Sequence, residues 1–205
     1  VDFAFILLHG PFGEDGTMQG MLELLEITYQ GAGVLGSAME MDKNVAKIMY
    51  QKVGLSVPDW VMLARGQEFE PEKIIDQLGL PLVIKPIQQG SSLGMSISKT
   101  LHDLVSGVEE AFQYDKDVMV EQYIEGYEYV VGILGDKALP SIQVVPSADF
   151  YDYEAKYHSD KTKYLCPSPL NAKEEKYVQN LVLNSFIATG CSGWGRTETI
   201  RDING

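Results

Sequence analysis

The stretch Val83-Ile84-Lys85-Pro86-Ile87-Gln88-Gln89-Gly90-Ser91-Ser92-Leu93-Gly94 is the most informative part of this chain about its fold. Leu82 to Ile84 are apolar and partly β-branched, which predicts a buried strand. Lys85 ends that run, and a lysine there is costly unless its ammonium group has a partner. The glycines and serines that follow have N–H and O–H groups suited to an anion. Taken alone, the stretch fits a nucleotide triphosphate site, but it fits an ordinary hairpin with a solvated lysine better, because such turns are common.

The composition is typical of a globular protein with a sizeable core. The chain has 205 residues, of which 45% are hydrophobic and 22% are charged, as in ordinary domains. No apolar run approaches the ~20 residues of a membrane helix, and no secretory signal is visible. The net charge of −13 disfavours nucleic acid as a partner, but it allows a small phosphate ligand. Cys166 and Cys191 form neither a disulfide framework nor a metal motif, so we expect reduced thiols and a cytoplasmic protein.

Helix and strand patterns are spread along the chain without repeats. Asp42 is the predicted N-cap of one helix, and Leu101–Phe112 has an apolar side that predicts another. A hairpin is predicted around Gly135-Asp136, a helix over Lys173–Thr189 and a last strand over Trp194–Ile200. These patterns favour an α+β fold with mostly antiparallel sheets.

Both ends of the chain, and one long loop, are unusual. Val1–Leu8 has strand character from its first residue, and Asp202-Ile203-Asn204-Gly205 is a turn signal that normally joins two strands. We therefore expect the chain to be truncated at both ends relative to a longer protein. Asp149–Pro169 is a long aromatic and charged loop, which makes it a candidate lid over a functional site.

Six motifs contain the residues best suited to phosphate chemistry. In chain order they are His9-Gly10-Pro11-Phe12-Gly13-Glu14-Asp15-Gly16-Thr17, Met41-Asp42-Lys43, Val83-Ile84-Lys85-Pro86 with Gly90-Ser91-Ser92-Leu93-Gly94, Glu121 with Glu125-Gly126-Tyr127-Glu128, Tyr151-Asp152-Tyr153-Glu154-Ala155-Lys156-Tyr157, and Gly193-Trp194-Gly195-Arg196.

In this order the six motifs resemble the D-alanine–D-alanine ligases of the ATP-grasp superfamily, and the resemblance covers essentially the whole chain. It implies an ATP-grasp fold, in which the antiparallel sheets of two α+β subdomains sandwich ATP. Residues 1–33 would be the remnant of an N-terminal α/β domain that binds substrate. Residues 34–121 would form the central subdomain, and residues 122–205 an incomplete C-terminal subdomain.

The same resemblance implies an enzyme that joins two D-alanines with ATP, through an acyl phosphate, for peptidoglycan precursor synthesis. Phosphoryl transfer also requires a divalent cation, Mg²⁺ or Mn²⁺, at the triphosphate. Members of the family act in the cytoplasm and are commonly homodimers. Two alternatives stay open: a ligase of the same fold with a D-lactate or D-serine acceptor, and a catalytically inactive ATP-binding domain.

The residues that the resemblance assigns to ATP are distributed over three motifs. Lys43 and Lys85 would neutralise phosphates, although either alone would more often be a solvated lysine. The loop from Gly90 to Gly94 would close on the phosphates and would supply donors. The segment from Glu121 to Ile124 would recognise adenine, and Glu128 the ribose, where each glutamate alone would more often be an edge-strand charge. The cofactor-binding set is therefore Lys43, Lys85, Gly90, Ser91, Ser92, Gly94, Glu121, Tyr123, Ile124, Glu128 and Lys156.

The residues assigned to catalysis lie mostly in the later motifs. Lys156 would approach the γ-phosphate, and Tyr157 would cover the second substrate, where Tyr goes with D-alanine and Phe with D-lactate. Ser91 would reach toward that tyrosine. Arg196 would hold the forming oxyanion and the acyl phosphate, since its guanidinium stays charged. His9 would lie near the carboxylate of the first substrate, although a structural histidine is an equally good interpretation.

The metal ligands show the largest departure from the family pattern. The family has an aspartate two residues after the arginine, and this chain has Glu198, which supplies the same hard oxygen on a longer side chain. The resemblance predicts a strand with Glu-x-Asn immediately after Gly205, and a substrate-orienting glutamate before Val1. Half of the Mg²⁺ ligands would then lie outside these 205 residues.

Overall fold

The computed structural model describes residues 1–145 and 162–203. The chain divides into two compact units. We call Val57–Ile124 the hairpin unit, and Val1–Ser56 together with Glu125–Gly205 the terminal unit. The three-segment division expected from the sequence remains a prediction. In the described residues the elements are β1 (Phe3–Ala4), α1 (Thr17–Leu24), β2 (Thr28–Tyr29), α2 (Val34–Met41), α3 (Lys43–Lys52), β3 (Trp60–Ala64), α4 (Pro71–Leu78), β4 (Leu82–Pro86), β5 (Ser96–Ser98), α5 (Leu101–Ala111), β6 (Asp117–Gln122), β7 (Gly126–Leu134), β8 (Lys137–Ala138), β9 (Ile142–Val145), β10 (Lys163–Leu165), α6 (Ala172–Ala188) and β11 (Trp194–Asp202).

The hairpin unit is an antiparallel sheet with strand order β3-β6-β4-β5, to which α4 and α5 contribute core residues. The capping box between Thr100 and Asp103 fixes the start of α5, since each side chain satisfies a free N–H of the first turn. Leu104 and Val108 of α5 pack against Leu82 and Ile84 of β4 in one fully buried cluster. The predicted buried strand and amphipathic helix are therefore both present, and they form one core.

Strand register places the polar ends of β4 and β6 on the opposite face from that core. Val83 pairs with Glu121, and Lys85 pairs with Met119. Because side chains alternate between faces, Lys85 and Glu121 are diagonal neighbours on one face. Ile84 points to the other face, where it is fully buried in the core.

The terminal unit contains a sheet with strand order β10-β9-β7-β11, and α6 covers one of its faces. Val131 and Ile133 of β7 pack against Val182 and Phe186 of α6. The predicted hairpin around Gly135 is observed, with Leu134 paired to Lys137. The last predicted strand is also present, and it continues to Asp202 at the end of β11.

The first residues of the terminal unit fold less than their pattern predicts. The expected strand over Val1–Leu8 is reduced to Phe3–Ala4, which pairs in parallel with Thr28–Tyr29. Phe5 and Leu7 are 64% and 72% exposed. The predicted strand was too long, because apolar residues form a strand only as far as a neighbouring strand pairs with them. Here the neighbouring strand, β2, has two residues.

The α+β class with mostly antiparallel sheets is confirmed, since β1 with β2 is the only parallel pair among the described strands. Across residues 1–145 and 162–203, no helix has both the length and the apolar character needed to cross a bilayer.

Candidate functional site

Lys85 has the partner that its position in an apolar strand requires. Its Nζ forms a short ion pair with Oε1 of Glu121 on the adjacent strand β6. The Glu121 side chain is 8% exposed and the Lys85 side chain 23%. Both residues are candidates in the sequence, but their pairing is not predictable from it, because their proximity depends on a register between residues far apart in the chain. The pair places a cation at the start of the hairpin loop, with a carboxylate that holds it in position.

The loop between β4 and β5 has an unusual backbone. Ser91, Ser92 and Gly94 have φ angles of 52°, 59° and 68°. Glycine adopts such angles freely, whereas two adjacent serines in this region are uncommon. Leu93 N donates to the Gly90 carbonyl at 3.0 Å, which closes a tight turn. Strained backbone of this kind clusters at ligand-binding sites, and here it follows a lysine.

The segment after β6 leaves the hairpin unit in an ordered conformation. Tyr123 N donates to the Pro81 carbonyl at 3.2 Å, and Gln122 Nε2 donates to the Leu78 carbonyl at 3.1 Å. Tyr123 and Ile124 are both half-buried. Because the Tyr123 N–H is held within the protein, recognition of an adenine edge here would use the other backbone groups of the segment.

Arg196, Glu198 and Glu128 share one face of the sheet in the terminal unit. In the β7–β11 register, Arg196 pairs with Gly132, and Ile200 pairs with Glu128. Gly195, between Trp194 and Arg196, faces α6, because a Cβ there would lie 2.6 Å from Phe186 Cε2. The motif therefore needs glycine on the helix side and presents its tryptophan and arginine on the other.

The Arg196 guanidinium is in an exposed setting. Its Nη2 lies 3.2 Å from Oε1 of Glu198, with side chains 68% and 43% exposed. A depression of about 360 Å³ adjoins it on the same sheet. An apolar floor with one cation at its edge can take a flat ring or an acyl group that carries negative charge. Six of its lining residues are Val130, Gly132, Leu134, Leu139, Trp194 and Arg196.

Lys43 is the first residue of α3, directly after its cap. The side chain of Asp42 accepts from the N–H groups of Asn44 and Val45, each at 3.0 Å, which confirms the predicted N-cap. The helix N-terminus carries partial positive charge, and Lys43 adds a full one. These two features together favour an anion at this end of α3.

A carboxylate network holds α3 in place within the terminal unit. Tyr50 of α3 donates to the Glu40 carboxylate at 2.8 Å, and Thr189 donates to the same group at 2.5 Å. Burial, the Glu40 charge and this hydrogen bond all raise the pKa of Tyr50. The phenol therefore stays protonated and keeps donating, so that α2, α3 and the end of α6 are linked.

His9 lies in a solvated loop rather than in a pocket of the described residues. Its side chain is 88% exposed, and its Nδ1 is 3.9 Å from Glu14 Oε1. Asp15, which sequence analysis did not single out, shapes this loop by accepting from the N–H groups of Phe12 and Thr17. Partial burial raises the pKa of Asp15, but these hydrogen bonds outweigh it and leave the pKa below its usual value.

The predicted site residues thus lie in two sets, one in each unit. Lys85 and Glu121 are in contact, as are Arg196 and Glu198. Lys156 and Tyr157 lie outside the described residues. Over residues 1–145 and 162–203, no three His, Cys, Asp or Glu side chains gather as metal ligands. Glu198 is therefore a single predicted ligand in this part of the chain.

Comparison with known proteins places this arrangement in a family. A family model described as the D-ala D-ala ligase C-terminus matches residues 49–205, and a model of the D-ala D-ala ligase N-terminus matches residues 1–32. The chain is similar to a D-alanine–D-alanine ligase from Bacillus anthracis, with 37% identity, a TM-score of 0.88, and coverage of 99% of this chain and 66% of that one.

Two further solved structures match. A Bacillus anthracis ligase complexed with ATP has 33% identity and a TM-score of 0.86, over 100% of this chain and 65% of that one. VanG, a D-Ala:D-Ser ligase from Enterococcus faecalis, has 35% identity and a TM-score of 0.86, over 100% of this chain and 61% of that one. The chain spans slightly less than two thirds of each of these proteins.

The mixed helix and sheet architecture with its two antiparallel sheets is that of an ATP-grasp protein. Within that class, the chain belongs to the D-alanine–D-alanine ligase family.

Proposed function

We propose that the protein joins two D-alanines to D-alanyl-D-alanine with ATP, in the cytoplasm, for peptidoglycan precursor synthesis. The observation that carries this proposal is the match of both ligase family models in order along the chain. Identity of 37% to a Bacillus anthracis D-alanine–D-alanine ligase supports it. The activity is proposed for the whole protein, because the chain spans 66% of that relative.

ATP is proposed to bind through the cations and donors that the sequence assigns to it. Lys85 would exchange its Glu121 partner for a phosphate oxygen, and Lys43 would add charge at the start of α3. The loop from Gly90 to Gly94, including Ser91 and Ser92, would donate N–H and O–H groups. Tyr123 and Ile124 would border adenine, and Glu128 would accept from the ribose hydroxyls. The Bacillus anthracis relative that is complexed with ATP supports ATP as the ligand.

The chemistry is proposed to proceed in two steps. A carboxylate oxygen of the first D-alanine attacks the γ-phosphorus, which forms an acyl phosphate and releases ADP. The amine of the second D-alanine then attacks the carbonyl carbon, loses a proton and expels inorganic phosphate. Arg196 would stabilise the oxyanion, and His9 would contact the carboxylate of the first substrate. Lys156 and Tyr157, outside the described residues, would contact the γ-phosphate and the second substrate.

A divalent cation, Mg²⁺ or Mn²⁺, would neutralise charge on the triphosphate oxygens during this transfer. Glu198 would be one carboxylate ligand, since its hard oxygen suits such an ion. In the structure that carboxylate lies 3.2 Å from the Arg196 guanidinium. We also propose a homodimer, as is common in the family, which light scattering on the full-length protein tests.

D-serine is a second candidate acceptor, because VanG, a D-Ala:D-Ser ligase, matches with 35% identity. The experiment incubates full-length protein with ATP, D-alanine and an equimolar amount of D-serine or D-lactate. ADP release is measured, and products are identified by mass spectrometry. We expect D-alanyl-D-alanine as the main product. Absence of ADP release that depends on D-alanine would favour an inactive ATP-binding domain and would refute the proposal.

A further inference from the structure

We propose that Asp115 is a positioning residue, which acts by holding the loop of residues 87–95 in the conformation that binds phosphate. This inference rests on the proposed ATP site, but its structural half can be tested without ATP. Asp115 lies in the turn between α5 and β6, within the hairpin unit. Nothing in the sequence distinguishes Tyr114-Asp115-Lys116-Asp117 from an ordinary polar turn.

Both ends of the loop are attached to this turn. At the start of the loop, Gln88 N donates to Asp115 Oδ2 at 2.7 Å, and Gln89 Nε2 donates to the Tyr114 carbonyl at 3.1 Å. At the other end, Gly94 lies against the Tyr114 ring, since a Cβ on Gly94 would be 2.5 Å from Tyr114 Cδ2. The loop residues with left-handed backbone, Ser91 and Ser92, lie between these two attachments.

The turn is itself braced, so it can serve as a fixed point. Asp115 Oδ1 accepts from Lys116 N at 2.7 Å and from Asp117 N at 3.3 Å. Arg65 Nη2 donates to the Asp115 carbonyl at 2.9 Å and also to the Phe112 carbonyl. The Asp115 carboxylate therefore uses one oxygen to hold the turn and the other to hold the loop.

The contact between the Asp115 carboxylate and the loop has a functional consequence. Lys85 lies near the end of β4 and only three residues before Gln88, so the Asp115 contact fixes the direction in which the loop leaves the cation. If the loop samples other conformations, its apparent affinity for ATP equals the intrinsic affinity multiplied by the fraction of time spent in the binding conformation. Loss of a hydrogen bond to a charged group corresponds to a change of about tenfold in such an equilibrium.

The experiment compares three variants of the full-length protein. In Asp115→Asn the single amide oxygen stays with the two donors of the turn, and the NH₂ group then faces Gln88 N, so the loop contact alone is lost. Gln89→Ala removes the second attachment and leaves Asp115 intact. Asp117→Asn is the matched control, because it removes the same charge at a position two residues away. The Asp117 carboxylate has only a long ion pair, 4.0 Å from the Lys116 ammonium.

We expect hydrogen exchange of amides 87–95 without nucleotide to be faster in Asp115→Asn, and to a smaller degree in Gln89→Ala, with no change in Asp117→Asn. We expect the KM for ATP to rise about tenfold in Asp115→Asn, with the KM for D-alanine and the midpoint of thermal unfolding unchanged.

Two results would overturn the proposal: equal behaviour of Asp115→Asn and Asp117→Asn, or faster exchange spread evenly over α5 and β6. If the unmodified protein shows no effect of ATP on exchange and no activity, the proposed function fails. The comparison of loop exchange without nucleotide still decides whether Asp115 anchors the loop.

Discussion

Two pairs of opposite charges are among the predicted site residues, one in each unit, and they differ in exposure and in how the strands bring the partners together. Lys85 and Glu121 pair across neighbouring strands and are largely buried. Arg196 and Glu198 pair along one strand and are largely exposed. A buried charge that loses its partner is strongly destabilising. An exposed pair contributes little to stability, because water and salt screen it.

The difference indicates how each unit would keep a cation ready for the proposed reaction. In the hairpin unit, the register of β4 and β6 makes the cation part of the fold, so its position is fixed before any ligand binds. In the terminal unit, the fold fixes only the backbone of β11, and Arg196 can leave Glu198 at low cost. Stability and activity should therefore respond differently when each pair is broken.

The largest effect is expected for Glu121→Ala. It leaves the Lys85 ammonium without its carboxylate in a largely buried site, which we expect to cost about 3 kcal/mol of unfolding free energy. The measurement is urea unfolding of the full-length protein, combined with hydrogen exchange of β3, β4 and β6 amides.

The control for that prediction replaces both partners with apolar residues, Lys85→Met with Glu121→Leu. Since an apolar pair can substitute for a buried ion pair, most of the stability should return. ATP binding should be weakened in this double variant, because the Lys85 cation is absent. Equal stability of Glu121→Ala and the unmodified protein would show that the pair is not a structural feature.

Arg196→Ala should show the opposite pattern. We expect ligase activity to fall by about 10²-fold or more, because an oxyanion donor is lost. Unfolding free energy should change by less than about 0.5 kcal/mol, because the side chain is exposed. Steady-state ADP release and thermal unfolding are the two measurements. Arg196→Lys is the matched control, and we expect it to keep stability without restoring full activity.

Local and distant features of the sequence differed in how well they could be predicted. Asp42 as the cap of α3 and the hairpin around Gly135 were predicted correctly, because neighbouring residues determine both. The need of Lys85 for a partner was also predicted from its strand. That this partner is Glu121 could not be predicted, since it depends on the pairing of β4 with β6.

Failures of prediction have the same origin. The apolar run Val1–Leu8 predicted a full strand, but its pairing ends with the two residues of β2. Asp115 was missed because its importance depends on the approach of Gln88, which is 27 positions away in the chain. The roles of the site residues in catalysis remain predictions that the variants above test.

Gly94→Ala tests whether the loop beside the buried pair is as rigidly held as the pair itself. An added methyl group would meet the Tyr114 ring and the Pro86 ring, and the φ angle of 68° disfavours any residue with a Cβ. We expect a loss of about 1–2 kcal/mol of unfolding free energy and faster exchange of amides 87–95. Gly90→Ala is the control, because a Cβ at Gly90 meets no atom within 4 Å. Similar effects of both variants would mean that the loop is loosely held.

The smallest effect is expected at Asp103, an exposed carboxylate whose hydrogen-bond partners are neutral groups. The Thr100 side-chain hydrogen bond, the Lys99 N–H and the Thr100 N–H lower the pKa of Asp103, with the smallest contribution from the His102 charge, although desolvation opposes them. Because the pKa of Asp103 is lower in the folded state than in the unfolded state, its carboxylate stabilises the fold at any pH above the unfolded-state pKa. This stabilisation is lost as the pH falls through the folded-state pKa.

Asp103→Asn should therefore be slightly less stable than the unmodified protein at pH 7, and the difference should disappear in strong acid. Thermal unfolding between pH 2 and pH 7 at two salt concentrations measures this, and a difference that grows toward acid would contradict it. Because backbone N–H groups are its partners, the Asp103 contribution should also survive salt that screens the Arg196–Glu198 pair.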